Sequence, residues 1–300
     1  MIKVNSSIYM KKWLPIISLI ICCMIWGSTF VAIKNVSSEI NPFLLSTVRN
    51  SLAVLIMLPM ILFSTKRKCL KNKLSIKYGF IVGFFLAAIY VVQTTGMQFT
   101  SSNHSAFITS SAVVIVPLLL VLFRRHKITS QQIAAVCTTM IGIYFLTNSS
   151  KTTEYNIGDI LTFFGAFICA IHIILSGIYV RKTELFGLVF YQFLFGAILS
   201  FVGFLINTKG VEIHIQSKYL FEILYLGIFG TLFCFFVTVW AQKYLTTIFT
   251  MMILSMEPIF ASLTSYLHSG ATFTKIEILG ALGILIGLLI YNIPLNRIVK

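Results

Sequence analysis

The sequence predicts an all-α membrane protein, with ten transmembrane helices arranged as two inverted five-helix repeats and both termini cytoplasmic. Three observations lead there. The 300 residues are 58% hydrophobic and only 10% charged, where a soluble domain carries about 25% charged residues. Apolar runs recur along the chain at the length of ~20 residues that a helix needs to cross a bilayer. The second half also repeats the first, over its best-matched stretch at a constant offset of 144 positions.

The runs fall near 13–33, 41–63, 78–98, 103–123, 130–147, 157–180, 186–206, 219–243, 246–267 and 276–293. They are continuous and do not alternate, which excludes β-spans. Helices satisfy every backbone group inside lipid. Lys3, Lys11 and Lys12 before the first run resemble the start of a signal peptide. That run has no small-x-small cleavage site and more spans follow, so it reads as a retained first helix.

Basic residues set the direction. With a cytoplasmic N-terminus, 17 of the 23 Lys and Arg residues fall in inside segments, six of them in the link at 66–77. Lys34, Lys151, Lys209, Lys218 and Lys275 fall outside, and Arg49 lies within a span. Lys and Arg concentrate in cytoplasmic loops. The net charge of +15 is therefore a topology signal. It sits in short clusters between apolar runs, without the basic face of a nucleic-acid binder. The six cysteines (Cys22, Cys23, Cys69, Cys137, Cys169, Cys234) show no metal-ligand spacing and mostly lie in apolar runs. They read as small buried apolar side chains, and neither a metal nor a cofactor is expected.

The repeat is clearest between "MQFTSSNHSAFITSSAVVIVPLLLVLF" (97–123) and "AQKYLTTIFTMMILSMEPIFASLTSYL" (241–267), which set Gln98 on Gln242 and Ala106 on Thr250. Final helices with "MIGIYFL" and "LIGLLIY" follow. Earlier, "NPFLLSTVRN" (41–50) corresponds loosely to "ELFGLVFYQF" (184–193), with Arg49 opposite Gln192. Five helices per copy force the second copy into the membrane upside down. The charges agree: the counterpart of the 66–77 link carries only Lys209 and Lys218, with Glu212. Inverted repeats are the structural basis of alternating access, with the substrate site at the repeat interface near mid-bilayer.

Four segments, "WGSTFVAIKN" (26–35), "NPFLLSTVR" (41–49), "TSSNHSAFITSSAVVIVPLL" (100–119) and "MEPIFASL" (256–263), resemble the EamA-type branch of the drug/metabolite transporter (DMT) superfamily. The similarity runs over almost the whole chain, twice. It implies a ten-helix fold of two EamA-like repeats, 13–147 and 157–293, and transport of small metabolites such as amino acids. The chain departs from the family where the fourth and ninth helices often end in Gly-Glu. Here those positions read "RRHK" (124–127) and "HSGA" (268–271).

Arg49 and Glu257 are the only oppositely charged residues deep in the spans. A charge at mid-bilayer costs about 2.5–3.5 kcal/mol on insertion scales and should face the interior. For Arg49 the alternatives are a structural arginine bonding backbone carbonyls and a substrate contact. Glu257 is a substrate group, a proton site or a neutral buried acid, and a direct pair with Arg49 would relieve both. On one unbroken helix Thr250, Glu257, Ala261 and Thr264 form a polar, small-residue stripe, and Pro258 frees the carbonyl of Leu254 and kinks that helix.

Tyr90, Gln93, Thr94 and Met97 share a face of the third helix, suited to a polar or zwitterionic ligand or to plain packing. Trp26 and Trp240 are cavity walls or packing. His172 is a proton relay or a satisfied core histidine, and Tyr191 and Gln192 are similar. His104 and His268 lie near the outer surface and His126 and His214 in loops, where solvation is the default. Gly79 and Gly83, and Gly280, Gly283 and Gly287, offer faces for close helix approach.

The expected function is a secondary transporter or facilitator for a small polar metabolite, in a multi-pass cytoplasmic-membrane protein acting as monomer or homodimer. The alternative is a flippase for a lipid or lipid-linked metabolite. A polytopic enzyme is disfavoured because H-E-x-x-H, G-x-S-x-G, a Walker loop and an Asp dyad are all missing, and Asp159 is the sole aspartate. Partners are the bilayer and a small-molecule substrate, without nucleic acid.

Overall fold

The computed structural model describes residues 6–123, 127–147, 156–207, 216–269 and 274–292, with side chains from Trp13 on. Lys3, Arg124, Arg125, His126, Lys151, Lys209, Glu212, His214, Arg297 and Lys300 lie outside the described residues, as do the side chains of Lys11, Lys12 and His268. So do parts of the 124–127 and 268–271 segments.

Among the described residues every regular element is helical. In order these are α1 (Ser6–Ser37), α2 (Pro42–Leu62), α3 (Lys73–Phe99), α4 (Ser102–Ser110), α5 (Ala112–Leu122), α6 (Ser130–Thr147), α7 (Ile157–Tyr179) and α8 (Leu185–Asn207). They continue with α9 (Leu220–Tyr225), α10 (Cys234–Ala241), α11 (Thr247–Leu254), α12 (Glu257–Ser269) and α13 (Lys275–Asn292). A π-helical stretch, Leu226–Phe233, joins α9 to α10.

Taking α4–α5, α9–α10 and α11–α12 as single spans, nine segments among the described residues are long and apolar enough to cross a membrane. The tenth expected span, α6, is as long as α13 at 18 residues but is not among the nine. Its opening Ser130-Gln131-Gln132 lowers its apolarity. Large apolar side chains such as Leu118, Phe164, Phe201 and Ile206 are exposed around the bundle, as expected where the solvent is lipid.

Polar caps begin most spans, where the first N–H groups of a helix need acceptors. Asn41 accepts from Phe43 and Leu44 ahead of α2, and Asn72 accepts from Leu74 and Ser75 ahead of α3. Asn156 and Asp159 form a reciprocal capping box on α7. The final helix of each half uses the same device. Thr129 and Gln132 bond each other's backbone N–H groups before α6, and Thr274 and Glu277 do so before α13.

The halves pack by exchange. α2 packs on α8 and α6 on α13, so equivalent helices meet. The packing of α3 on α7 is matched by α10 on α1, and that of α1 on α12 by α7 on α4 and α5. Polar clamps follow the same rule. Lys34 donates to the carbonyls of Met97 and Thr100 at the end of α3, and Arg181 to those of Gln242 and Leu245 at the end of α10. The α6–α13 seam is closest: a Cβ added to Gly142 would lie 2.6 Å from the backbone nitrogen of Ile284. Gly280, Gly283 and Gly287 face that seam, and Gly79 and Gly83 sit against Tyr191 and Gln192 of α8.

The ninth span corrects the expectation of one kinked helix. α11 ends at Leu254 and α12 begins at Glu257, so Pro258 occupies a first helical turn, where proline is tolerated. The fourth span breaks at Ser111, the repeat counterpart of Ser255, and Val114 stands where the second copy has Pro258. The break therefore belongs to the scaffold and not to that proline. It also divides the expected stripe. Thr250 is buried in α11, Ala261 packs against Gly27 of α1, and Thr264 donates to the carbonyl of Phe260.

Candidate functional site

The site grows from the π-helical stretch. Its sequence, LGIFGTLF, places Gly230 and Thr231 between bulky residues. The wide turn lets the Thr231 hydroxyl donate to the carbonyl of Leu226, five residues back, at 2.8 Å. π-turns inside α-helical spans occur frequently at functional sites. Here the turn collects three side chains from the other half of the chain. Trp26 of α1 donates its indole N–H to the Gly230 carbonyl at 2.8 Å. Arg49 of α2 donates through Nε to the Thr231 hydroxyl at 3.1 Å, and the Tyr90 hydroxyl of α3 donates to the same oxygen at 2.8 Å.

Arg49 is 2% exposed. Its guanidinium carbon lies 3.8 Å from the centre of the Tyr90 ring, a cation–π contact that strengthens as water is removed. Nη1 has no hydrogen-bond partner among the described residues. A buried charge with a free donor is costly, so Arg49 retains binding capacity.

These residues wall a cavity of about 70 Å³. Seven spans contribute. Trp26, Thr29, Arg49, Tyr90, Gln93, Thr109 and Ser110 come from the first half. Thr162, Cys169, His172, Phe235, Thr238 and Glu257 come from the second. Phe235 is the aromatic hub, meeting Trp26, Tyr90 and His172 edge-on with ring centres 5.1, 5.8 and 5.3 Å away.

Of the sequence candidates, Trp26, Arg49, Tyr90, Gln93, His172 and Glu257 come together in this cavity. Arg49 and Glu257 share it without an ion pair; among the described residues the one ion pair is His104–Asp159, at 2.9 Å. Thr231 and the Tyr90 ring occupy the guanidinium instead. Thr250 and Gln192 are buried outside the cavity wall, and Trp240 lies in a separate cleft at the end of α10. Thr94 and Met97 are buried beside the site. Tyr191 donates to the Leu70 carbonyl at 2.6 Å, a packing role. His104 is not simply solvated, because Asp159 holds it together with Thr100.

Sequence reasoning missed Thr231, Phe235, Thr29 and Thr162. The trace of Thr231 was the Gly227-x-x-Gly230-Thr231 island of small residues in an apolar run. His172 and Thr238 of the cavity wall, with Ser176 and Gln192 outside it, carry buried polar atoms, and the hydroxyls of Ser176 and Thr238 have no hydrogen-bond partner among the described residues. They form a polar seam towards the end of the bundle where α7 and α10 finish.

A lipid-facing helical bundle made of two similar halves, with a largely apolar cavity between them that holds a few buried polar groups, defines the class of multi-pass membrane transporters. The EamA-like transporter family matches residues 13–148 and again 156–293, and the chain belongs to that family. It is similar to an uncharacterized transporter of Archaeoglobus fulgidus, 29% identical over 94% of this chain and 87% of that protein. It is also similar to the uncharacterized transporter YoaV of Bacillus subtilis, 22% identical over 96% of this chain and 98% of that one. A solved crystal structure shares the fold, with a TM-score of 0.75 over 94% of this chain and 98% of the other at 12% identity.

Proposed function

We propose that the chain is a secondary transporter or facilitator that carries a small polar metabolite, an amino acid or related compound, across the cytoplasmic membrane by alternating access. The observation that carries this is Arg49: buried, lining the cavity, and keeping Nη1 unpartnered while Glu257 lines the same small space. Nη1 would take an anionic group of the cargo. Glu257 would take a cationic group or a proton, and the Trp26–Tyr90–Phe235 wall would take the apolar part. Enclosure of the cavity by seven spans favours such cargo over a lipid.

Five spans per repeat make the second copy inverted, and the charge distribution puts both termini in the cytoplasm. The exchanged helix packing and the paired breaks at Ser111 and Ser255 support two equivalent openings. In this reading the polar seam of His172, Ser176, Gln192 and Thr238 belongs to the closed half of the path. A buried hydroxyl without a partner, as at Ser176 and Thr238, costs about 1–3 kcal/mol, a cost removed when the opposite state lets water in.

The test is uptake by proteoliposomes across a panel of amino acids and nucleoside-type metabolites, with and without an imposed pH gradient. Wild-type protein is expected to move at least one zwitterionic or anionic compound, and Arg49→Ala to lose that activity. Uptake unaffected by Arg49→Ala sinks the assignment of this cavity, and the absence of any gradient effect rules out proton coupling.

A further inference from the structure

A second concavity, separate from the central one, opens where the link after α2, the start of α8 and the end of α10 meet. It measures about 700 Å³. Lys66, Lys68 and Lys243 line it with a single acid, Glu184. None of the three lysines forms an ion pair, with Glu184 or with any other described residue. The cleft thus holds an uncompensated positive charge.

Its wall is unlike a solvated basic surface. Phe236, Trp240 and Tyr244 form one side, with Trp240 and Tyr244 edge-to-face at 5.5 Å. Tryptophan and tyrosine favour the depth of lipid headgroups, where one end of the ring is apolar and the other wet. A topological excess of lysine explains Lys66 and Lys68 in the link. It does not explain their convergence with Lys243, from a distant segment, on an aromatic wall. Lys71, Lys73 and Lys77 belong to the same basic stretch and stay out of the cleft.

We propose that this cleft binds a phosphate-bearing anion, with the lysines taking the charge and the aromatic wall taking the apolar group attached to it. Basic pockets between transmembrane helices take up lipid headgroup phosphates in this way. The aromatic side favours an amphiphile, such as the headgroup of an anionic phospholipid, over a free ester. The cleft is independent of Arg49 and Glu257, so it stands or falls apart from the transport reading.

Full-length protein in zwitterionic detergent is loaded with phosphatidylglycerol or phosphatidylcholine, and retained lipid is counted by native mass spectrometry. A parallel arm titrates glycerol phosphate and follows thermal stability. Wild type should retain phosphatidylglycerol in preference to phosphatidylcholine. Removing all three cleft charges (Lys66→Gln, Lys68→Gln, Lys243→Gln) should weaken retention about 100-fold, at about fivefold per lysine. The neighbouring triple Lys71→Gln, Lys73→Gln, Lys77→Gln should weaken retention by much less, because those side chains do not line the cleft. Glu184→Gln should tighten binding about fivefold, a gain that misfolding cannot produce. Stabilisation by glycerol phosphate would assign the site to soluble esters as well, and lipid retention alone to headgroups. Equal loss in both triples, or no preference for either phosphate probe over zwitterionic lipid, overturns the proposal.

Discussion

Thr231 carries the sharpest energetic consequence, because one hydroxyl serves three partners. It accepts from Arg49 Nε and from the Tyr90 hydroxyl and donates to the Leu226 carbonyl. Thr231→Val keeps the shape and removes only the oxygen. The bond from charged Arg49 is worth about 1.5–3 kcal/mol and the neutral one from Tyr90 about 0.5–1.5 kcal/mol. Both donors are buried and cannot turn to solvent, so the loss should total about 2–4 kcal/mol. At about 2–4 °C per kcal/mol for a chain of this order of size, the midpoint should fall by about 5–15 °C. Thr231→Ser keeps the hydroxyl and loses one methyl, about 1 kcal/mol. Four of the six cysteines, Cys22, Cys23, Cys69 and Cys234, are buried, so a thiol-reactive fluorophore reports unfolding directly in detergent. The order expected is wild type, then Ser, then Val, with transport lost in Val and kept in Ser. If Val matches wild type, or is more stable than Ser, Thr231 does not anchor Arg49 and the site rests on something else.

Other outcomes follow from the same geometry. Glu257→Gln should remove any acceleration of uptake by a proton gradient while leaving gradient-free exchange measurable; an intact gradient response would move the proton site elsewhere. Gly142→Ala should sharply reduce folded yield, since its Cβ would meet the Ile284 backbone. Gly165→Ala should fold normally, its Cβ lying 3.7 Å from Val92; size-exclusion profiles of the two compare them. Cysteines at Ser176 and Thr238, in a background without exposed Cys137, should react with water-soluble thiol reagents only during turnover with substrate. Steady labelling without substrate would mean the seam is already open. Asp159→Asn should lower stability by about 1–2 kcal/mol, since Asp159 holds Thr100, His104 and the Asn156 N–H together; an unchanged melting midpoint would contradict that role.

Hydropathy and loop charge made the helical spans legible, because the bilayer constrains every backbone group and tolerates few charges. Arg49 and Glu257 stood out for the same reason, and both line the cavity. What stayed hidden depends on backbone geometry that hydropathy does not encode. The π-helical stretch at 226–233 turns Gly230 and Thr231 into acceptors for Trp26, Arg49 and Tyr90, yet its residues read as ordinary apolar filling. The break in the ninth span was inferred from Pro258, whereas the fourth span breaks at the matching Ser111 without a proline there. A face drawn on an unbroken helix therefore placed Thr250 beside Glu257, and the structure separates them.

The unequal chemistry of two similar halves follows from that comparison. Both copies break the same span at the same point, so the scaffold is repeated; Glu257 follows one break and Val113 the other. Arg49 likewise faces a partner position occupied by neutral Gln192, which lies buried outside the cavity. If the charged groups served only to balance burial, the lowest-cost arrangement would pair them directly, as His104 and Asp159 are paired at the start of α7. Instead Arg49 is held by Thr231 and Tyr90 with one nitrogen left over, and Glu257 stands unpaired across the same cavity. Under the proposed function, a cargo with an anionic group for Arg49 and a cationic group or proton for Glu257 completes this arrangement.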